Sequence, residues 1–479
     1  MKRLRWYDYI TYNIYWLGLN VGSGSLTPII LPALVVRFVD PSMKNSWFGA
    51  LRAAGLVVAI LVQPAAGLLS DRCTSRWGRR RPFIAVGALL TAFTLLGVGL
   101  AGSYWMLFAV SLLMQFASNI AHGALQGIIP DLVPEDQRGR ASAVKALMEL
   151  APMVLLAATI GRFVDSGQLW AAIATIFAMY IVTMLITVAA VHETPIQEKP
   201  AGSLREPLLR VLGLLLGVAV GGLLGVAAGG VGGGLVGLAA WPFAGQARAW
   251  LVGASVAGLI AIVVSIVAGV WAAVQISADA RRYPSFTWWV VNRLLFLTAV
   301  GSLQGYAQYF LADVLHLPNP AEATGLLTRS VGIFTLVAAL SSGFLAERMD
   351  RRMLVTGSGL LAALGTCLLL LAGNVTVVLI AGCLIGMAAG VFLTTNWALG
   401  TDLVPPEEAG RFLGISNLAG AGAGIVGAGL GGPLVDYLNK LSAGSGYLVI
   451  FGIFAVCFAL SVVALRQVRQ PAQRAAAQG

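Results

Sequence analysis

The decapeptide Asp131-Leu-Val-Pro-Glu-Asp-Gln-Arg-Gly-Arg140 returns later in the chain as Asp402-Leu-Val-Pro-Pro-Glu-Glu-Ala-Gly-Arg411, with six of ten positions identical. A weaker pair, Gly67-Leu-Leu-Ser-Asp-Arg72 and Gly343-Phe-Leu-Ala-Glu-Arg348, recurs in the same order. The two pairs are spaced along the chain by nearly the same length, and each string sits beside the end of an apolar run. One short match arises by chance. Two ordered matches at almost one spacing mark a duplicated unit.

The apolar runs are what the duplication repeats. Of 479 residues, 58% are hydrophobic and 11% charged, too little polar surface for a soluble chain of this size. Crossing roughly 30 Å of hydrocarbon takes about 20 mostly apolar residues in a helix. Fourteen such segments are read: 11–37, 46–69, 83–101, 104–129, 142–163, 169–191, 211–240, 250–275, 286–311, 324–346, 353–372, 375–399, 412–436 and 446–465. The fold class expected is all-α integral membrane: two pseudo-symmetric six-helix bundles plus two extra central helices. The domains expected are a bundle over 1–194, a linker over 195–285 with two Gly-rich helices, and a bundle with a short basic tail over 286–479.

Charge sets the expected orientation. With the N-terminus in the cytoplasm, all of the 31 Lys and Arg residues lie in or beside cytoplasmic loops except Arg37, Lys44, Arg52, Arg162, Arg248, Arg293, Arg329 and Lys440. Both termini are therefore expected in the cytoplasm, in a multi-pass protein of the inner or plasma membrane. The net charge of +11 does not indicate nucleic acid, because its basic residues occupy short loops rather than one folded face. Cys73, Cys367, Cys383 and Cys457 are scattered, which suggests neither disulfides nor a metal site. No cofactor is implied, no cleavable signal peptide is read at the basic N-terminus, and no enzyme constellation is visible. The expected partners are the bilayer, a small-molecule solute and a coupling ion, for a protein acting as a monomer.

Val211 to Ile276 carries Gly221-Gly222, Gly229-Gly230 and Gly232-Gly233-Gly234. Two helices so rich in glycine can approach each other or their neighbours very closely, or form a hairpin that only fills lipid space. An even number of spans keeps Arg351 and Arg352 on the same side as the other basic loops.

The run from Val62-Gln-Pro-Ala-Ala-Gly67 through Asp71-Arg72 and Gly78-Arg-Arg-Arg-Pro82 to Phe83-Ile84 resembles the loop between helices 2 and 3 of major facilitator superfamily transporters. It is most similar to the sucrose/proton symporters and related glycoside-pentoside-hexuronide cation symporters, a likeness that Leu26-Thr-Pro28 and Asp131-Leu132 extend. The resemblance implies alternating access by two rocking bundles, with a conformational latch at Gly67, Asp71, Arg72, Gly78 and Arg79. Asp131, Arg138, Asp402 and Arg411 join that latch from the repeated loops. Independently, a carboxylate such as Asp71 can meet a neighbouring helix N-terminus, while arginines reach acids or lipid phosphates. Plain positive-inside anchoring explains the arginines but not Asp71 and the two glycines.

The resemblance also places a central cavity against the first, fourth and two later spans. Polar residues inside spans cost free energy unless protein or water meets them, so each is a functional candidate. Those named for the substrate are Asn20, Ser23, Asn119, His122, Gln126, Arg293, Gln304, Gln308, Asn396 and Trp397. Amides, hydroxyls and aromatic faces suit a neutral polyhydroxylated ligand, although the same groups serve as interhelical glue. Sucrose symporters carry an acid and an arginine in the fourth helix where this chain has Gln115 and Gln126, so their charge-based coupling does not transfer. For coupling to a proton, the candidates are Glu149, its i, i+4 neighbour Lys145, and His122. Arg293 is expected to meet an acid, with Glu149 the first choice, and Arg52 and Arg329 to snorkel to the outer headgroups. The function expected is transport of a sugar or glycoside with a proton; the rival is a proton-coupled exporter of amphipathic or drug-like compounds.

Overall fold

The computed structural model describes residues 4–193, 205–276, 284–346, 348–403 and 409–469, with side chains except at 205–208, 210, 211, 214, 273–276, 409–421 and 423. Among them the secondary structure is entirely helical, as expected, because hydrocarbon leaves a backbone only internal hydrogen bonds. The long helices are α1 (Trp6–Phe38), α2 (Pro41–Asp71), α3 (Arg81–Gly99), α4 (Tyr104–Leu132), α5 (Glu135–Asp165) and α6 (Leu169–Ala190). They continue with α7 (Arg205–Ala244), α8 (Gln246–Ile276), α9 (Pro284–Asp313), α10 (Pro320–Leu345), α11 (Arg351–Leu370), α12 (Val375–Thr401), α13 (Ala409–Leu441) and α14 (Ser445–Leu465). Thirteen of these are long and apolar enough to cross a membrane. The fourteenth, α13, is 33 residues long, though much of its first half carries no described side chain.

Local sequence explains where the helices start and bend. Ser103 accepts from the Met106 N–H to cap α4, and Asn374, its counterpart in the second copy of the repeat, accepts from Val377 to cap α12. Helix α1 is π-helical over Gly22–Ile30: Pro28 has no N–H to give, and the Leu31 N–H reaches back five residues to Leu26.

The chain forms two compact units. The first comprises Met1–Val39, Ala54–Leu209 and Asn319–Arg329; the second comprises Asp40–Ala53, Arg210–Pro318 and Ser330–Gly479. Each thus takes in a short segment from the other half of the sequence. In the first unit, Gly161 of α5 packs on the Ala321 carbonyl and Gly325 of α10 on the Ala157 carbonyl. In the second, Gly432 of α13 packs on the Asn45 carbonyl and Gly49 of α2 on the Ala428 carbonyl. These are one arrangement made twice, at the same spacings that separate the repeated sequence strings. A Cβ at any of the four would collide with backbone.

Within the second unit, Phe296 of α9 stacks on Phe392 of α12, ring centres 3.6 Å apart, and Phe458 of α14 meets it edge-on. Helices α7 and α8 belong here too. Every fourth residue of α7 from Gly221 to Gly233 faces α8, against Ser265, Gly269, Ala261, Ala257 and Gly253, while Gly222, Gly230 and Gly234 face open space. The close approach that the glycines permit is therefore used on one stripe only. Helix α8 also leans on the bundle, Gly258 meeting Leu434 and Ile453.

Gly229→Leu is expected to separate α7 from α8, with a penalty of about 1–3 kcal/mol for overpacking. Gly230→Leu, at the neighbouring position, points into open space and should leave thermal unfolding in detergent unchanged or slightly raised. Equal losses in both variants would contradict this packing.

Candidate functional site

In the first unit, α1, α4 and α5 converge on Trp16, which lies one turn before Asn20. Lys145 Nζ stands 4.2 Å from the centre of the Trp16 ring and 3.3 Å from Glu149 Oε1, so the ammonium is held between an indole face and a carboxylate. The His122 ring meets the same indole edge-on, 5.2 Å between centres, and its Nε2 is 3.3 Å from Gln126 Nε2. Asn20 Nδ2 donates to the Trp16 carbonyl at 2.9 Å, and the Ser23 hydroxyl donates to Asn20 Oδ1 at 3.2 Å. Ser23 and Gln126 are exposed although they lie within apolar spans. A polar side chain in that position requires water, protein or a polar ligand against it, so this face of the unit is a candidate contact surface. Asn119 does not join the group; it is buried and donates to the Gln115 carbonyl of its own helix at 2.8 Å.

The second unit holds a separate cluster around the fully buried Asn396 of α12. Its Nδ2 donates to Asn292 Oδ1 at 2.8 Å, its Oδ1 accepts from Arg293 Nη1 at 3.1 Å, and its carbonyl accepts from Trp289 Nε1 at 2.9 Å. The Arg293 guanidinium carbon lies 5.7 Å from the Trp289 ring and 5.1 Å from the Trp397 ring. Arg293 is thus held by a neutral amide and two indoles, and Glu149 by Lys145. Gln304 and Gln308 sit three and four turns further along α9, about 16 and 22 Å from Arg293 by helical rise, Gln304 exposed and Gln308 buried. They are not part of this cluster.

Arg52 is also taken inward. Its Nη2 donates to the Gly301 carbonyl at 3.0 Å, and its guanidinium occupies the space that a side chain at Gly305 would fill. A glycine far along the chain, invisible to local reading, replaces the expected headgroup contact. Arg329 is exposed.

At the loop from Gly67 to Ile84, Arg80 gathers the neighbours. It pairs with Asp71 and with Asp131, Nε to Oδ2 2.9 Å, and donates to Ser70 Oγ at 2.6 Å. Arg79 adds a second bridge to Asp131 at 2.5 Å. Gly78, at φ +96°, makes the turn that points these adjacent arginines to their partners, and Glu193 accepts from the Arg80 and Arg81 N–H groups at 2.8 and 3.2 Å. Arg72 follows the last turn of α2, its N–H on the Leu69 carbonyl. Arg138 closes its own loop on the carbonyls of Val133 and Pro130. The second copy repeats the bridge: Arg351 Nη1 donates to Asp402 Oδ2 at 2.7 Å. Each arginine precedes its aspartate by 51 residues. Glu347 and the Arg411 side chain lie outside the described residues.

A family model described as Major Facilitator Superfamily matches residues 17–317 and 294–479. The chain belongs to the major facilitator superfamily. It is 30% identical over 115 residues to sucrose transport protein SUC3 of Arabidopsis thaliana, 19% of either chain. It is 32% identical over 117 residues to the general alpha-glucoside permease of Schizosaccharomyces pombe, 21% of either chain. The matched stretches thus span about a fifth of these relatives. Among solved structures, the nucleoside transporter NupG aligns at TM-score 0.66 and 12% identity, covering 97% of this chain and all of that one. A D-xylose-proton symporter aligns at 0.64 and 16%, covering 96% and 97%. At such identity these two establish the fold alone, which is that of superfamily transporters rather than of enzymes.

Three participants escape sequence reading. Trp16 lies in an unbroken apolar run, Arg80 in a run of three arginines, and Glu193 beyond a span end; only Trp16 leaves a signal, its i, i+4 spacing from Asn20. Removing Arg80 leaves Asp71 without its partner and Asp131 with Arg79 alone: Arg80→Ala should destabilise this superfamily member by about 1–3 kcal/mol, most of it from the buried hydrogen bonds of the guanidinium. Arg80→Lys should recover only part, since an ammonium cannot fork between two carboxylates. Arg351→Ala, whose bridge is over a third exposed, should cost less than about 1 kcal/mol. Thermal unfolding of the three variants in detergent checks the ranking.

Proposed function

We propose that the protein carries a sugar or glycoside across the membrane together with a proton, by alternating access. The observation that carries this reading is the polar cluster of the first unit, where exposed Ser23 and Gln126 adjoin an amide, an imidazole, an indole and the Lys145–Glu149 pair. Hydroxyl-rich ligands need paired donors and acceptors, and this face supplies both. The sucrose and alpha-glucoside relatives favour the same substrate class. In the second unit, the half-exposed Trp397 beside Arg293 offers a ring on which a sugar could stack. Glu149 takes the proton, with Lys145 as its ion-pair partner, and the Arg80 and Arg351 bridges bias the two-state equilibrium as latches. The repeats over 1–194 and 286–479 form the rocking bundles of a monomer whose termini and basic loops face the cytoplasm.

Proteoliposomes with an imposed inward proton gradient test the reading. Labelled disaccharide should accumulate and leak back when the gradient is collapsed. Glu149→Gln should abolish accumulation while preserving sugar exchange. Full accumulation in that variant would remove Glu149 from the mechanism, and indifference to every sugar offered would remove the substrate class.

A further inference from the structure

Where α1 begins, beside the start of α5 in the same unit, lies a cavity of about 410 Å³ lined by Leu4, Trp6, Tyr9, Asp136, Gln137 and Arg140. Gln137 is only 7% exposed, and its Oε1 accepts from the Leu4 N–H at 3.1 Å and from the Tyr9 hydroxyl at 2.8 Å. A backbone N–H can only donate, so the orientation of the amide is fixed and its Nε2 is the end left over. Among the described residues that Nε2 has no acceptor, in a side chain that lines the cavity. Amide donors in a buried residue cost free energy unless something accepts from them.

Two opposite charges stand on either side of this amide. Asp136 and Arg140 are exposed, four residues apart, and among the described residues neither forms an ion pair. Acids and bases at that spacing commonly pair with each other. These two stay open, and the neighbouring charges do not answer them: Arg5 donates to the Tyr7 hydroxyl, Asp8 accepts from the Arg5 N–H, and Arg138 pairs with Glu135. Trp6 is the first residue of a span and is 75% exposed. An indole at a span end belongs to the belt of lipid headgroups, whichever side of the bilayer that end faces.

We propose that this cavity binds one phospholipid with a zwitterionic primary-amine headgroup. The phosphate accepts from the Arg140 guanidinium and from Gln137 Nε2, and the ammonium donates to Asp136. Side chains four apart on a helix stand about 5–6 Å from each other, a separation that the two-carbon arm between phosphate and ammonium can match. Trp6 and Leu4 lie against the glycerol end, where the chains leave for the hydrocarbon. A purely anionic headgroup would set a like charge against Asp136, and a fully methylated nitrogen has no proton to donate to it. The inference involves neither the solute nor the coupling ion, so it stands or falls apart from the transport reading above.

Native mass spectrometry of the delipidated protein in detergent is the test. Phosphatidylethanolamine, phosphatidylcholine and phosphatidylglycerol of identical chains are offered at equal concentration, and glycerophosphoethanolamine supplies the same headgroup without chains. The native protein should retain one phosphatidylethanolamine in preference to the other two lipids. Asp136→Asn should lower that retention by roughly two- to fivefold, the size expected of an exposed ion pair, to the level of phosphatidylcholine. Arg140→Ala should lower the retention of all three lipids. Both side chains are exposed, so neither change threatens the fold. Equal retention of the three lipids by the native protein, a native-like preference in Asp136→Asn, or undiminished retention in Arg140→Ala would each overturn the proposal. So would glycerophosphoethanolamine binding as tightly as the whole lipid, since the occupant would then be a soluble metabolite.

Discussion

Hydrocarbon offers no partner to a charge or a hydrogen-bonding group, and that constraint organises the whole molecule. Each polar side chain inside a span has to be answered by another part of the protein or by water. The answers are specific: Asn396 to Asn292, Arg293 and Trp289, and Arg52 to the Gly301 carbonyl. Such groups contribute little to cohesion compared with the apolar contacts around them, yet they fix which helices meet and in which register.

The two copies of the repeat serve as a comparison within one chain. Matching features lie slightly further apart through α2 than from α3 onward, so the difference falls in the loop between those helices. That loop is longer from Arg72 to Arg80 than from Arg348 to Arg351. The shortened copy has no counterpart of the Gly78 turn, and its arginine opens α11, where it still reaches Asp402. The bridge thus depends on the start of one helix facing the end of another, not on the loop between them. The helix caps of Ser103 and Asn374 and the glycine contacts on facing carbonyls are kept by both copies in the same way.

Much of this was legible in the sequence because bilayer thickness imposes one length on every span, and the observed helices begin and end within a turn or two of the apolar runs. Side-chain partnerships were harder to read. Adjacent arginines are equivalent on paper; in the fold Arg80 reaches both Asp71 and Asp131, whereas Arg79 reaches Asp131 alone. Arg52 looked like a residue for the headgroups because its carbonyl partner lies 249 residues away. Trp16 disappears into hydrophobicity, although its ring is what joins Lys145 to His122.

The wide turns of α1 carry a consequence for how that helix faces its surroundings. An α-helix advances about 100° per residue, and winding on five-residue bonds lags behind that rate. The stripe drawn by Trp16 and Asn20 is therefore not continued by the side chains of Leu31–Phe38, and a wheel plotted over the full length would misassign one end. What reads as a single rod in a hydropathy profile is two rods with different azimuths, spliced just past Asn20 and Val21.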